Sequence, residues 1–180
     1  MSMPAVHPVC DAEREGSRVN FRHVLFALIA VSTILRLAWA ASLGAAFDEP
    51  YYFQYIRHPA LSYFDHPPMV ALVGALGLAL TDDPFNVLSL RVGFIALFAG
   101  STWLIARLTA RSFGPSAGLL AALTLSASGY FGMVVSTIAQ PDGPLLFFWL
   151  LTLDRLAVAL GEPDRLAPWL GVGAAWAGRC

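Results

Sequence analysis

The feature that most constrains this chain is a series of apolar segments too long for the buried faces of a soluble domain. Residues 24–46 are apolar except for Arg36, and residues 87–108 are apolar with Arg91 near their start. Residues 116–138 form a third run, rich in Gly, Ala and Ser, which lets helices pack closely. A fourth covers 144–160 and is interrupted only by Asp154-Arg155. Roughly 20 apolar residues cross a hydrocarbon core of about 30 Å, so each is a candidate span. Composition agrees: 57% of residues are hydrophobic and the mean hydropathy is +0.64, above the roughly 45–50% of soluble domains. The predicted fold is all-α, a polytopic transmembrane helix bundle with interfacial helices in its first outer loop.

Topology follows from charge. Residues 69–80 are apolar but about 12 long, a length more often interfacial or re-entrant than spanning. If that run does not cross, Arg14, Arg18, Arg22, Arg107, Arg111 and Arg165 fall on one side. Asp48, Glu49, Asp65, Asp82, Asp83 and Asp142 then fall on the other. If it crosses, the loop at Arg107 and Arg111 moves outside and breaks the positive-inside rule. The expected arrangement is therefore a cytoplasmic polar tail over 1–22 and a transmembrane domain over 23–162 with an outer loop at 47–86. Residues 163–180 read as the start of a further, truncated helix. The first twenty residues lack the apolar core of a signal peptide. A net charge of −1 gives no basic stripe for nucleic acid, and two cysteines near opposite ends give no disulfide framework.

Charge is scarce, so its concentration in Asp48-Glu49-Pro50-Tyr51-Tyr52 and Tyr63-Phe64-Asp65-His66-Pro67-Pro68 calls for a reason. The topology brings Asp48 and Asp65 to the same face as Asp142, which sits in the turn Gln140-Pro141-Asp142-Gly143-Pro144. Three carboxylates from distant loops could thus share one outward cavity. Plainer readings stand beside this. Asp48 and Asp142 also suit helix N-caps. Tyr51, Tyr52, Tyr55 and Tyr63 also suit an interfacial aromatic belt. His58 and His66 are more often surface hydrogen-bonders than ligands, and their spacing is not diagnostic of a metal. Arg91 can snorkel to the outer interface, whereas Arg36 lies too deep for that and points to function. Asp154 and Arg155 are adjacent, do not face each other on a helix, and mark the approach to the cytoplasmic end rather than a buried pair.

The ordered series Leu35-Arg36-Leu37, Asp48-Glu49-Pro50-Tyr51-Tyr52, Arg57-His58 and Tyr63-Phe64-Asp65-His66-Pro67-Pro68-Met69 resembles one enzyme group. Arg91-Val92 and Gln140-Pro141-Asp142-Gly143-Pro144 continue it in the same order. The group is the GT-C-type integral membrane glycosyltransferases of the protein mannosyltransferase and aminoarabinose transferase superfamily. The resemblance covers about residues 24–160. It implies sugar transfer from a polyprenyl-phosphate carrier to an acceptor glycan, lipid or protein on the outer membrane face, with inversion at the sugar. By motif position Asp48 matches the first-loop acid and is the candidate base, with Glu49 beside it and Asp142 as a second acid lining the same cavity. Tyr51, Tyr52, Arg57, Tyr63, Asp65, His66 and Arg91 are the substrate-binding candidates that the resemblance implies. Asp65-His66 stands where relatives carry an acidic–basic pair near the lipid phosphate or a bound divalent metal. Here the basic member is His rather than Lys, so its charge depends on pH near neutrality.

The chemistry suits the residue types. A carboxylate can take the proton of an attacking hydroxyl, and a cation opposite the departing phosphate helps the leaving group. A lipid-linked donor needs no glycine-rich nucleotide loop, and none is seen. The abundant Ala, Gly and Leu with Arg as the only strong base suggest a GC-rich bacterial genome, and the apolar spans then make the bacterial inner (plasma) membrane the expected location. Two other classes remain open on sequence: a non-catalytic membrane protein binding a lipid phosphate or a partner, and a transporter fragment. The latter would more naturally show internal repeats, which are not seen.

Overall fold

The computed structural model describes residues 8–81 and 86–178, with side chains from residue 20 onward. The pair Asp82 and Asp83 and the cysteines Cys10 and Cys180 lie outside what can be described of side chains. The described residues form only helices: α1 Pro8–Ser42, α2 Glu49–Arg57, α3 Met69–Thr81, α4 Val87–Phe113, α5 Pro115–Ala127, a π-helix Gly129–Val135, α6 Asp142–Gly161 and α7 Leu166–Ala177. Three are long and apolar enough to cross a membrane: Asn20–Ser42 of α1, Val87–Phe113 and Asp142–Gly161. The bent pair Pro115–Ala127 and Gly129–Val135 makes a fourth if counted as one span. The all-α bundle expected from hydropathy is what forms, and the chain is an integral membrane protein.

α4 is the hub, packed against α1, α3, α5 and α6. At its far end Gly114 adopts φ 94°, a conformation that favours glycine, and its N–H returns to the Ala110 carbonyl at 3.0 Å. Pro115 then opens α5 at the position where a missing N–H costs nothing. The result is a tight α4–α5 hairpin, with Gly118 seated on the Ala106 carbonyl and the Ala110 side chain. α3 runs antiparallel to the first turns of α4: Gly77 lies on Ser89, Gly74 on Leu90, and Val73 on Gly93. It is too short to span. It buries Val70, Val73, Gly74 and Gly77 while Leu72, Leu76 and Leu80 stay exposed.

The segment expected to span continuously over 116–138 is instead broken, with a bend of 64°. Ser128 leaves helical geometry at ψ 129°, and its hydroxyl accepts from the Phe131 N–H. Its side chain thus offers the backbone an alternative to the helix ladder. α1 is helical from Pro8, so the polar tail continues into the first span without interruption. Only 17% of its apolar window is buried, so most of its apolar side chains face outward.

Candidate functional site

The site is built on a salt bridge. Glu49 is the first residue of α2 and Arg91 lies one turn into α4, and they meet as a fork-to-fork pair. Arg91 Nε donates to Glu49 Oε1 at 2.7 Å, and Arg91 Nη2 donates to Glu49 Oε2 at 2.6 Å. Arg91 also donates from Nη1 to the Ala40 and Leu43 carbonyls (2.7 and 3.2 Å) and from Nη2 to the Gly44 carbonyl (2.7 Å). The Ala40 carbonyl lies in the last turn of α1, where no partner is available within the helix, and those of Leu43 and Gly44 follow its end, so Arg91 caps α1 from another helix. Glu49 is engaged in turn by the backbone N–H of Ala46 at 2.7 Å and of Ala139 at 3.0 Å. One ion pair therefore ties together the end of α1, the loop before α2, α4, and the turn that leads to Asp142.

This surrounding differs from what the sequence suggested for both residues. Arg91 does not snorkel: its side chain is 0% exposed and its donors are committed within the protein. Glu49, expected beside Asp48 among the acids of the site, is likewise fully enclosed, with both oxygens twice bonded.

Asp48 is the contrasting neighbour. It occupies the N-cap position of α2, with Pro50 in the first turn as expected, but its side chain makes no capping bond. Among the described residues its exposed carboxylate has no hydrogen bond or ion pair. Asp142 is the first residue of α6 rather than its cap, which is Pro141. Its carboxylate accepts instead from the Tyr130 hydroxyl at 2.6 Å. Tyr130 stands in the π-helix, within a stretch that reads as plain apolar span, and nothing in the sequence marked it.

Asp65 completes the set. It accepts from the hydroxyls of Tyr51 at 3.0 Å and of Tyr55, and lies 3.7 Å from His66. The Tyr55 bond, then that of Tyr51, holds the Asp65 carboxyl below the usual range. Tyr55, absent from the expected binding set, is central here. It stacks on Tyr63 at 3.7 Å between centroids, and Tyr63 ties the loop down through the Tyr55 carbonyl at 2.8 Å. These tyrosines thus form a bonded cluster rather than a simple belt. Arg57 is exposed at the end of α2 and makes no hydrogen bond or ion pair among the described residues.

Tyr52 lies within reach of the charge of three acids. It is buried beside His66, sharing a 3.3 Å hydrogen bond with that ring. Burial first, then the charges of Asp48, Asp65 and Asp142, push its hydroxyl up to about 12. Carboxylates from three sequence-distant positions therefore act on one phenol, which stays a protonated donor at neutral pH. No cluster of three or more His, Cys, Asp or Glu suited to a metal ion occurs among the described residues. A small cavity of about 210 Å³ opens beside Glu49 and Pro50, between α2 and the apolar Leu78 and Leu90.

The opposite end of α4 holds a second ionic cluster. Asp154 is 0% exposed and lies within 3.5 Å of Arg107 and 3.0 Å of both Arg111 and Arg155. The expectation that Asp154 and Arg155 do not pair is therefore corrected: the flexible Arg155 side chain folds back onto its neighbour.

Comparison with known protein families matches residues 65–178, more than half of the chain, to the family described as dolichyl-phosphate-mannose-protein mannosyltransferase. No curated protein and no solved structure matches. The chain belongs to this mannosyltransferase family, whose members are membrane glycosyltransferases of the GT-C type.

Proposed function

From that membership we propose that the chain transfers a sugar from a polyprenyl-phosphate carrier to an acceptor hydroxyl on the outer membrane face, with Asp48 as general base. The hydroxyl oxygen attacks the anomeric carbon while Asp48 takes its proton. The bond from that carbon to the phosphate oxygen breaks, and the polyprenyl phosphate leaves with the electron pair. Attack opposite the leaving group inverts the sugar. The acceptor is a glycan, a lipid or a protein. The N-terminus is cytoplasmic in this reading, and the membrane is the bacterial plasma membrane.

One observation carries the assignment: of the acids around Tyr52, Asp48 alone has no hydrogen bond or ion pair among the described residues. A base needs a free, accessible lone pair. Asp142 and Asp65 are engaged by tyrosines and suit binding of sugar or acceptor hydroxyls, with Tyr51, Tyr52, Tyr63 and His66. Glu49 acts as a positioning residue, because its enclosure keeps it from substrate while it fixes the loops on either side. Arg91 has no donor left for a phosphate, so of the candidates Arg57, His66 and Arg91 the first two remain for the leaving group.

The test supplies membranes containing this chain with a radiolabelled polyprenyl-phosphate sugar and, separately, a nucleotide sugar. Label should move to an acceptor from the lipid donor only. Transfer from the nucleotide sugar alone, or retention of the lipid donor without any transfer, would overturn the reading.

A further inference from the structure

Arg36 is a buried cation with no anion beside it among the described residues. It lies six residues before the end of α1, about 9 Å down the helix, and only 8% of it is exposed. Its guanidinium rests on the Phe98 ring at 4.5 Å, and Nη2 donates to the Ser126 carbonyl at 3.2 Å. Arg36 Nε and the Ser126 hydroxyl are both buried with no partner among the described residues. The other enclosed charges are treated differently: Arg91 has Glu49, and Asp154 has three arginines. A charge held at membrane depth is costly unless something compensates it.

The surroundings give the missing group a shape. Arg36 and Ser126 line a cavity of about 350 Å³ with Leu35, Trp39, Met133 and Thr137. The bend after α5 opens this space, since Ser126 is two residues before the break at Ser128. Leu35, Trp39 and Met133 are exposed on the outward, apolar surface, so the cavity is approached from the bilayer side. A guanidinium fork with a free N–H and an adjacent free hydroxyl matches phosphate oxygens.

We propose that Arg36 and Ser126 hold the phosphate group of a lipid that enters this cavity from the bilayer. The source is either the polyprenyl-phosphate carrier or an ordinary phospholipid. The first alternative rests on the function proposed above and supplies the cation that Arg91 cannot; the second does not depend on it.

The experiment measures lipid retained by the purified full chain after detergent exchange, by native mass spectrometry. Polyprenyl phosphate, phosphatidylglycerol and uncharged diacylglycerol are offered separately. Retention of a phosphate lipid over diacylglycerol should fall by about tenfold or more in Arg36→Gln, as expected for a lost charged hydrogen bond. It should fall by a smaller factor in Ser126→Ala and stay unchanged in Arg165→Gln. If Arg36→Gln does not fold, Arg36→Lys and Ser126→Ala carry the test, since Lys keeps the charge but loses the fork. Preferential retention of polyprenyl phosphate identifies the carrier, and equal retention of both phosphate lipids identifies a phospholipid; either supports the site. Wild-type protein with no preference for phosphate, or folded variants that keep the wild-type preference, would overturn it. Because the readout is binding, failure of sugar transfer leaves the result interpretable.

Discussion

Two adjacent acids, Asp48 and Glu49, have opposite surroundings, and that difference organises the residue-level account. Glu49 is enclosed with Arg91, so removing one partner leaves the other buried and uncompensated. Glu49→Gln and Arg91→Met should each lower stability in detergent by about 3–5 kcal/mol, and the double variant by less than their sum. A loss below about 1 kcal/mol in a chemical denaturation series would show that the pair does not hold these loops. Asp65 makes a pH prediction. Its folded-state pKa is lowered, chiefly by the Tyr55 hydroxyl, so its contribution is present above the ordinary carboxylate value of about 3.9 and disappears as pH falls through the lowered one. Thermal unfolding of the wild type should weaken in acid. Asp65→Asn should flatten the acid limb; an unchanged limb would place the effect elsewhere. The sequence exposed the acids but not their pairing. Glu49 and Arg91 are 42 residues apart, and no local pattern says which of two neighbouring carboxylates is buried.

Elements whose hydrophobic length was decisive were readable in advance. α4 and α6 lie close to the predicted runs and the apolar part of α1, Asn20–Ser42, overlaps its own, because about 20 consecutive apolar residues have few alternatives. The length of α3 marks it as too short to span, though its antiparallel fit against α4 depends on glycines meeting in space. At Gly93 an added Cβ would stand 2.5 Å from the Val73 carbonyl oxygen, and at Gly77 it would collide with the Ser89 carbonyl. Gly77→Ala and Gly93→Ala should therefore each destabilise by about 1–3 kcal/mol. Gly173→Ala, where nothing lies within 4 Å, should be nearly neutral in the same melts. Comparable effects at all three positions would contradict the packing. The break at Ser128 was not readable, since Gly, Ala and Ser in an apolar run also suit a continuous span. The contact between Asp154 and Arg155 is hidden for a related reason: helix geometry separates neighbours, but a long arginine side chain can turn back across that separation.

At the scale of the whole molecule, charge sorts to the two ends of the bundle. The acids gather around Tyr52, while Arg107, Arg111 and Arg155 surround Asp154. This polarity supports an orientation with the tyrosine–carboxylate end outside and the arginine end in the cytoplasm. In a Cys10→Ser, Cys180→Ser background, Ser62→Cys should react with an impermeant maleimide in intact cells. Ser112→Cys should react only after the membrane is opened. The reverse pattern would invert the topology and remove the site from the outer face. The claim on which the account turns is that Asp48, free of partners in a site that Glu49 and Arg91 hold in place, takes the acceptor's proton. Its most direct measurement is single-turnover sugar transfer from a saturating polyprenyl-phosphate donor by wild type and Asp48→Asn, with bound donor quantified in the same samples. Loss of about 10²–10⁴-fold in rate with donor retention unchanged is the predicted result. Transfer at the wild-type rate by a folded Asp48→Asn protein would contradict it.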